Sequence, residues 1–531
     1  VGSIDLAGAT TKPIDFDGYN KLTLVDAGAN AVSNVSLNGG AKQELGSATK
    51  YYIKDTGTYT LEMSGSNVFA LSSNVVGAIA TEVVWKSNED QILYASDAAA
   101  SDYLGISINI SGDYMVVGAY GDDSNKGAAY IYTRNGTTWS EQQKITASDG
   151  SGNVSGYVGD RLGSSVGISG DYVIAGAPLD DQYKGAAYIY VRSGTSWSQQ
   201  QKITASNRTD NDRFGTSVSI SGDYAIVGSH NEDTGGDGRG SAYIYVRSGT
   251  SWSQQQRIQS SDAENNDGFG WSVSIDGDYA IVGASGEDTG ATNAGAAYIF
   301  KRSGTTWSQQ AKIQASDKSL DNQFGQFVSI DGDYVIVGSH NEDTGGTDAG
   351  AAYIFKRDTG SETWSEQQKI QASDKEAGDR FGNCVDIKGE FVIVGGYQED
   401  TGGSNSGAVY IFERSGTTWT EVKKITASDA AASDEFGQSV AIDGTTAVVG
   451  SRNNDTKASN AGAAYVFEKG PNPTTPSLTF DGNNKLTVTN FDSTSKEWPP
   501  SDGTYSSVTR TNSNKTTVWT ISGASYGNGE Y

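Results

Sequence analysis

The sequence predicts an all-β protein: a seven-bladed β-propeller of four-stranded antiparallel blades, closed by an N-terminal strand and flanked by two small β-sandwich modules. Three observations predict it. Short apolar runs alternate with Gly-, Asn- and Asp-rich turns, and helical periodicity is nearly absent from the 531 residues, which include 68 Gly and 7 Pro. A Phe-Gly or Leu-Gly step recurs seven times, beginning at Leu104, Leu162, Phe214, Phe269, Phe324, Phe381 and Phe436. Each copy also carries turn residues that divide it into four strands, a unit too small to close a core alone and therefore stacked on its neighbours.

The copy from Phe324 to Phe355 is the best formed: FGQFVSIDGDYVIVGSHNEDTGGTDAGAAYIF. FVSI and YVIVG alternate, a two-residue Asp-Gly hairpin joins them, and AAYIF follows a Gly-rich acidic loop. A fourth strand opens at Trp364, as it does at Trp139, Trp197, Trp252, Trp307 and Trp419. The seventh copy lacks this strand and runs from AAYVFEKG into PNPTTP. Conversely, Thr81 to Asp97 reads as a fourth strand with no unit before it, so it is expected to close the ring as the outermost strand of the seventh blade.

Residues 1–80 form short strands of a different style, and their phrase Phe16 to Thr23 returns as Phe480 to Thr487. The expected organisation is a sandwich-like module (1–80), the propeller (81–470), a Pro-rich linker (471–477) and a second copy of the module (478–531), one strand short.

A formal charge of −26 excludes the clustered basic face that a nucleic-acid partner requires, and no apolar run is long enough for direct membrane insertion. Acidity of this kind suits solubility in a secreted or salty setting. The single cysteine, Cys384, allows no intramolecular disulfide, and the first residues carry no signal-peptide pattern.

With its Phe-Gly steps and Gly176-Ala177-Pro178, the array resembles the FG-GAP repeats of integrin α-subunit propellers, and more closely those of microbial and large-virus surface proteins. The resemblance covers residues 81–470. It implies an extracellular or virion-surface protein used in adhesion or recognition, with protein or glycan ligands on the loop face. Calcium-binding members carry a D-x-D-x-D-G loop between the first two strands. Here that connection is Ser111-Gly112-Asp113, Asp331-Gly332-Asp333 and equivalents, too few oxygens for a six- to eight-coordinate ion.

Several residue sets are candidates for function. Asp123, Asp181, Asp233, Asp288, Asp343, Asp400 and Asp455 recur in the loop between second and third strands, and Asp97, Asp149, Asp262, Asp317, Asp374 and Asp429 in the loop entering the first. They are candidate Ca2+ ligands, although a carboxylate present in every copy more often fixes its loop by accepting backbone N–H groups. Tyr120, His230, Ser285, His340, Tyr397 and Arg452, with Pro178, occupy one variable position at the end of the second strand, as a binding face would. The fourth-strand tryptophans are expected to pack between blades rather than to stack on sugars. Asn34, Asn109, Asn135, Asn153, Asn207, Asn454 and Asn514 begin N-x-S/T sequons and are glycosylation candidates. No catalytic motif is present, so the expected role is structural or adhesive, including self-association into a fibre. A lectin-like glycan-binding module is the alternative, and a polysaccharide-active hydrolase the third reading.

Overall fold

A computed structural model describes residues 83–153 and 158–471, and only strands in the flanking segments. The chain divides into two compact units, residues 87–468 and a second made of 1–86 with 469–531.

The larger unit is the seven-bladed propeller. Blade one comprises Ile108–Ser111, Tyr114–Ala119, Ala128–Asn135 and Thr138–Ile145, paired in that order. Five further blades repeat this antiparallel meander, and the seventh has Ser439–Asp443, Thr446–Ser451 and Ala463–Pro471. Its fourth strand is Gln91–Leu93, with Ile92 opposite Tyr465. The N-terminal strand therefore closes the ring, as the sequence predicts. The helical turns at Asp122–Asn125 and Asp180–Tyr183 contain left-handed residues and act as loops.

Burial follows strand position. The second and third strands (Tyr334–Ser339 and Ala351–Asp358 in blade five) are nearly continuous buried apolar runs, because blades stack on both of their faces. The core is accordingly a set of layers between blades. One layer joins Tyr130 and Trp139 of blade one to Val448 and Val466 of blade seven, with Leu93 of the closing strand.

Three devices repeat around the ring. The first strands bond across successive blades: the Ile168 N–H donates to Asn109 Oδ1, Ser329 Oγ to Asp386, and the Ile442 N–H to Asp386 Oδ2. The Gly112 N–H completes the circle by donating to Asp443. A fourth-strand glutamine clamps the main chain of the next tryptophan, as Gln201 does with both Trp252 N–H and Trp252 C=O. Gln91 of the closing strand does the same for Trp139, so the seam between blades seven and one carries the same clamp, which is absent where Ala311 and Lys423 replace the glutamine. Finally, the glycine ending the second-strand Val-Gly pair lies against the carbonyl of the next blade's Phe-Gly glycine. A Cβ on Gly338 would stand 2.0 Å from Gly382 O.

The second unit contains a four-stranded sheet of Thr11–Phe16, Gly57–Met63, Val32–Leu37 and Gln43–Glu44. A second four-stranded sheet is made of Ser477–Phe480, Lys485–Thr489, Thr516–Ser522 and Ser507–Ser513. The face-to-face packing expected of sandwich modules, and the linker residues 472–476, lie outside the described residues. Pro471 is the last residue of the strand Ala463–Pro471.

Candidate functional site on the inner rim

The residue before each Phe-Gly step and the residue after each second strand meet at one end of the blade, because the two strands run antiparallel. At the first position stand Tyr103, Arg161, Arg213, Gly268, Gln323, Arg380 and Glu435, all in the left-handed region. The second position is the variable one identified in the sequence. Together they form an inner rim on the loop face.

Rim side chains contact one another within and across blades. Tyr120 stacks on Tyr103 with ring centroids 5.1 Å apart, and the Arg161 guanidinium lies 4.8 Å from the Tyr120 centroid. Arg452 ion-pairs with Glu435 at 2.8 Å. Arg380 donates to Asn341 Oδ1. His230 has Nδ1 3.1 Å from Thr216 Oγ1 and meets Trp271 of the next blade edge-on at 4.5 Å.

The two histidines differ from the loop-tip exposure that the sequence suggests. His230 and His340 are only 5% and 7% exposed, because each directly follows a buried second-strand serine and packs beneath its neighbours. Burial, with Arg213 or Arg380 nearby, lowers each imidazole to about 4, so both are neutral at physiological pH. Tyr120, Ser285, Tyr397 and Arg452 are half-buried.

The acidic loops are occupied by the blades themselves. Lys144 of the fourth strand ion-pairs with Asp97 and with buried Asp122, and the Tyr130 hydroxyl of the third lies 2.7 Å from both carboxylates, with one proton to donate to either. The pattern repeats as Asp149–Tyr188–Lys202, Asp262–Tyr298–Lys312, Asp317–Tyr353–Lys369 and Asp374–Tyr410–Lys424. In blade seven Ile92 stands where the lysine would be, and the buried partner is the neutral Asn454 instead of a carboxylate. In this loop position the buried carboxylate is present where the fourth-strand cation is.

Asp233, Asp288, Asp343, Asp400 and Asp455 each accept the N–H five residues on, which closes the loop. Asp123 and Asp181 pair instead with Lys126 and Lys184. Among the described residues, no three His, Cys, Asp or Glu side chains are grouped to hold a metal ion. Cys384 Sγ accepts the Val440 N–H, and burial pushes its thiol up to about 12.

The sequons fall in different environments. Asn135 is exposed at a hairpin. Asn454 is 2% exposed and donates to Tyr465, so a glycan there would have to displace the loop. Asn109 bonds the neighbouring first strand, Asn207 bridges Tyr243 and Glu232, and Asn153 accepts the Gly159 N–H. The side chain of Asn34, and Asn514 entirely, lie outside the described residues.

These networks set a pH dependence. Burial and neighbouring carboxylates push Asp267, Asp379 and Asp434 up to about 6, and burial does the same to Asp386. An unfolded Asp titrates near ~3.9, so the folded chain holds more protons between about pH 4 and 6, and these groups lower stability as pH rises through that window. For Asp97, Asp262 and Asp317, burial raises the carboxyl but bonds from Lys and Tyr outweigh it and hold it below the usual range. Their stabilisation is complete above about pH 4 and is lost on further acidification. His230 and His340, held at about 4 when folded, oppose this between about pH 4 and 6.5, but the four raised carboxylates outnumber them. Thermal midpoints measured from pH 3 to 8 should therefore peak near pH 4–5, and a continuous rise to pH 8 would contradict this assignment.

The sequence matches the FG-GAP repeat family model seven times, over residues 87–132, 139–190, 197–245, 252–300, 307–355, 364–412 and 419–467. The chain belongs to the FG-GAP repeat family. No curated protein matches it. Among solved structures it is similar to a putative 6-phosphogluconolactonase from Bacteroides uniformis at 11% identity and a TM-score of 0.43, covering 77% of this chain and 97% of that one. A protein from Lactobacillus plantarum is similar at 13% identity and the same TM-score of 0.43, covering 78% and 98%. Neither likeness carries an activity to this chain. Among the described residues, no helix is long and apolar enough to cross a membrane.

Reasoning from sequence missed Trp271 and the left-handed position before Phe-Gly. For Trp271 the signal was present: it lies outside the fourth-strand series and follows Phe-Gly where the other copies have Ile106, Ser164, Thr216, Gln326, Asn383 and Gln438.

Proposed function

We propose that this chain is an adhesion or recognition protein of a cell or virion surface, binding a protein or glycan partner through the inner rim without catalysis. The supporting observation is the contrast between framework and rim. Seven blades repeat the same glycine contacts and five the same Asp–Tyr–Lys bonding, whereas the rim changes from aromatic to cationic to small from blade to blade. The carboxylates that a hydrolase would use are engaged alike in successive blades, which favours scaffold over catalysis. The net charge of −26 and the absence of a disulfide pair suit a salty extracellular medium, where screening limits self-repulsion.

Arrays of cell-surface glycans and proteins probed with the purified chain test this reading. Reproducible retention without chemical change of the ligand is expected. Release of reducing ends from any polysaccharide would instead establish a hydrolase.

A further inference from the structure

Blade four breaks the repeat on the rim twice. Trp271 follows its Phe-Gly step, is 36% exposed, and is one of few large apolar side chains exposed among the described residues. Gly268 precedes the step, where five of the other blades have a long polar or charged side chain and blade one has Tyr103. A Cβ built on Gly268 meets nothing within 4 Å, so the missing side chain leaves open space beside the indole.

That space is a pocket of about 190 Å³ between the inner ends of blades three, four and five. Trp271 and His230 form walls, and Asn231, Asn266, Ser285 and Gln323 line the remainder. Among the described residues, none of these four polar side chains makes an intramolecular hydrogen bond, and none has an interaction left unstated. Asn341, the counterpart of Asn231 in blade five, is by contrast engaged and accepts from Arg380. An exposed indole beside uncommitted amides and a hydroxyl suits a ligand with one apolar face and a hydroxylated edge. A cavity below the ~300 Å³ typical of drug-sized ligands admits a single ring better than an extended chain.

We propose that this pocket binds the terminal pyranose ring of a glycan, with the ring against Trp271 and its hydroxyls bonded by Asn231, Asn266, Ser285 and Gln323. The assignment rests on the reading of the rim as a recognition surface and names its ligand class. Arg213, exposed and without an ion pair among the described residues, stands near His230 and gives this side of the rim a positive charge.

The test is saturation-transfer NMR of the full chain with glucose, galactose, mannose, N-acetylglucosamine and glucuronic acid, each as the free monosaccharide. Trp271→Gln introduces the residue that blades five and seven carry at this position. Gly268→Arg introduces that of blades three and six, at a left-handed site where they hold arginine (φ 54 and 56, against 66 for Gly268). Both variants are thus expected to fold, with melting checked against the parent. The expected result is transfer to ring protons of at least one sugar, weakened about tenfold or more in each variant, with the melting midpoint unchanged in Trp271→Gln and lowered in Gly268→Arg by no more than the few degrees that a left-handed non-glycine residue costs. A preference for glucuronic acid would add Arg213 to the site, and equal binding of neutral sugars would leave it outside. No transfer from any sugar, or binding unchanged in both variants, would overturn the assignment. If the chain is still retained by protein or longer-glycan arrays, only the pyranose assignment fails. If it is not retained, the recognition reading fails too.

Discussion

Replacing Gly338 by alanine is expected to cost more than about 3 kcal/mol and to lower the thermal midpoint, although the substitution adds one methyl group. The reason is position. The Gly338 N–H is bonded to Phe327 O, and the Cβ would stand 2.0 Å from Gly382 O and 3.1 Å from Gly382 C, both main chain of the next blade. Neither partner is a flexible side chain that can swing away, so two blades must separate. The same clash occurs at Gly118, Gly176, Gly228, Gly283, Gly395 and Gly450 against the following Phe-Gly or Leu-Gly glycine. The two glycines that mark each repeat are thus two halves of one contact between blades. Gly332→Ala is the control: its φ is +56 and its Cβ meets open space, so only the left-handed penalty of about 1–2 kcal/mol applies. Equal losses at both sites, measured by denaturant unfolding, would contradict this account.

Leu93→Asp is expected to open the ring at one seam. Leu93 is 4% exposed in the layer that joins blade one to blade seven, and it lies opposite Ala464. A carboxylate there has no cation and costs about 4 kcal/mol or more unless the strand leaves. When it leaves, Trp139 loses both of its bonds to Gln91. Hydrogen exchange should show lost protection along Tyr114–Ala119 and Ala463–Pro471, while Tyr279–Ala284, on the far side of the ring, stays protected. Protection unchanged at both edges would mean that this strand does not close the propeller.

The blades were legible because each strand carries its own period and each turn its own residues, repeated in phase seven times. The closing strand was legible from an imbalance: one copy lacks a fourth strand, and one fourth strand lacks a copy. The rim was only half legible. The variable position at Tyr120, His230 and His340 is visible in the sequence, but the burial of both histidines depends on how a strand end tucks under a neighbouring blade. The left-handed backbone at Arg161, Arg213 and Arg380 is set by the Phe-Gly glycine and leaves no mark on residue type. The acidic loops looked like ligands because their partners are remote in sequence. Lys144 reaches Asp97 across 47 residues, and the Tyr130 hydroxyl emerges from a run that otherwise reads as core.

Function on this account resides where the blades disagree, and one variant tests that directly. Tyr120, Tyr397 and Arg452, the half-buried members of the variable set, are replaced together by serine, the residue of blade four at Ser285, and the binding found on the surface arrays is measured again beside the melting midpoint. The account predicts that binding is lost while the propeller melts cooperatively within a few degrees of the parent. Binding retained at full strength by this folded variant would contradict it.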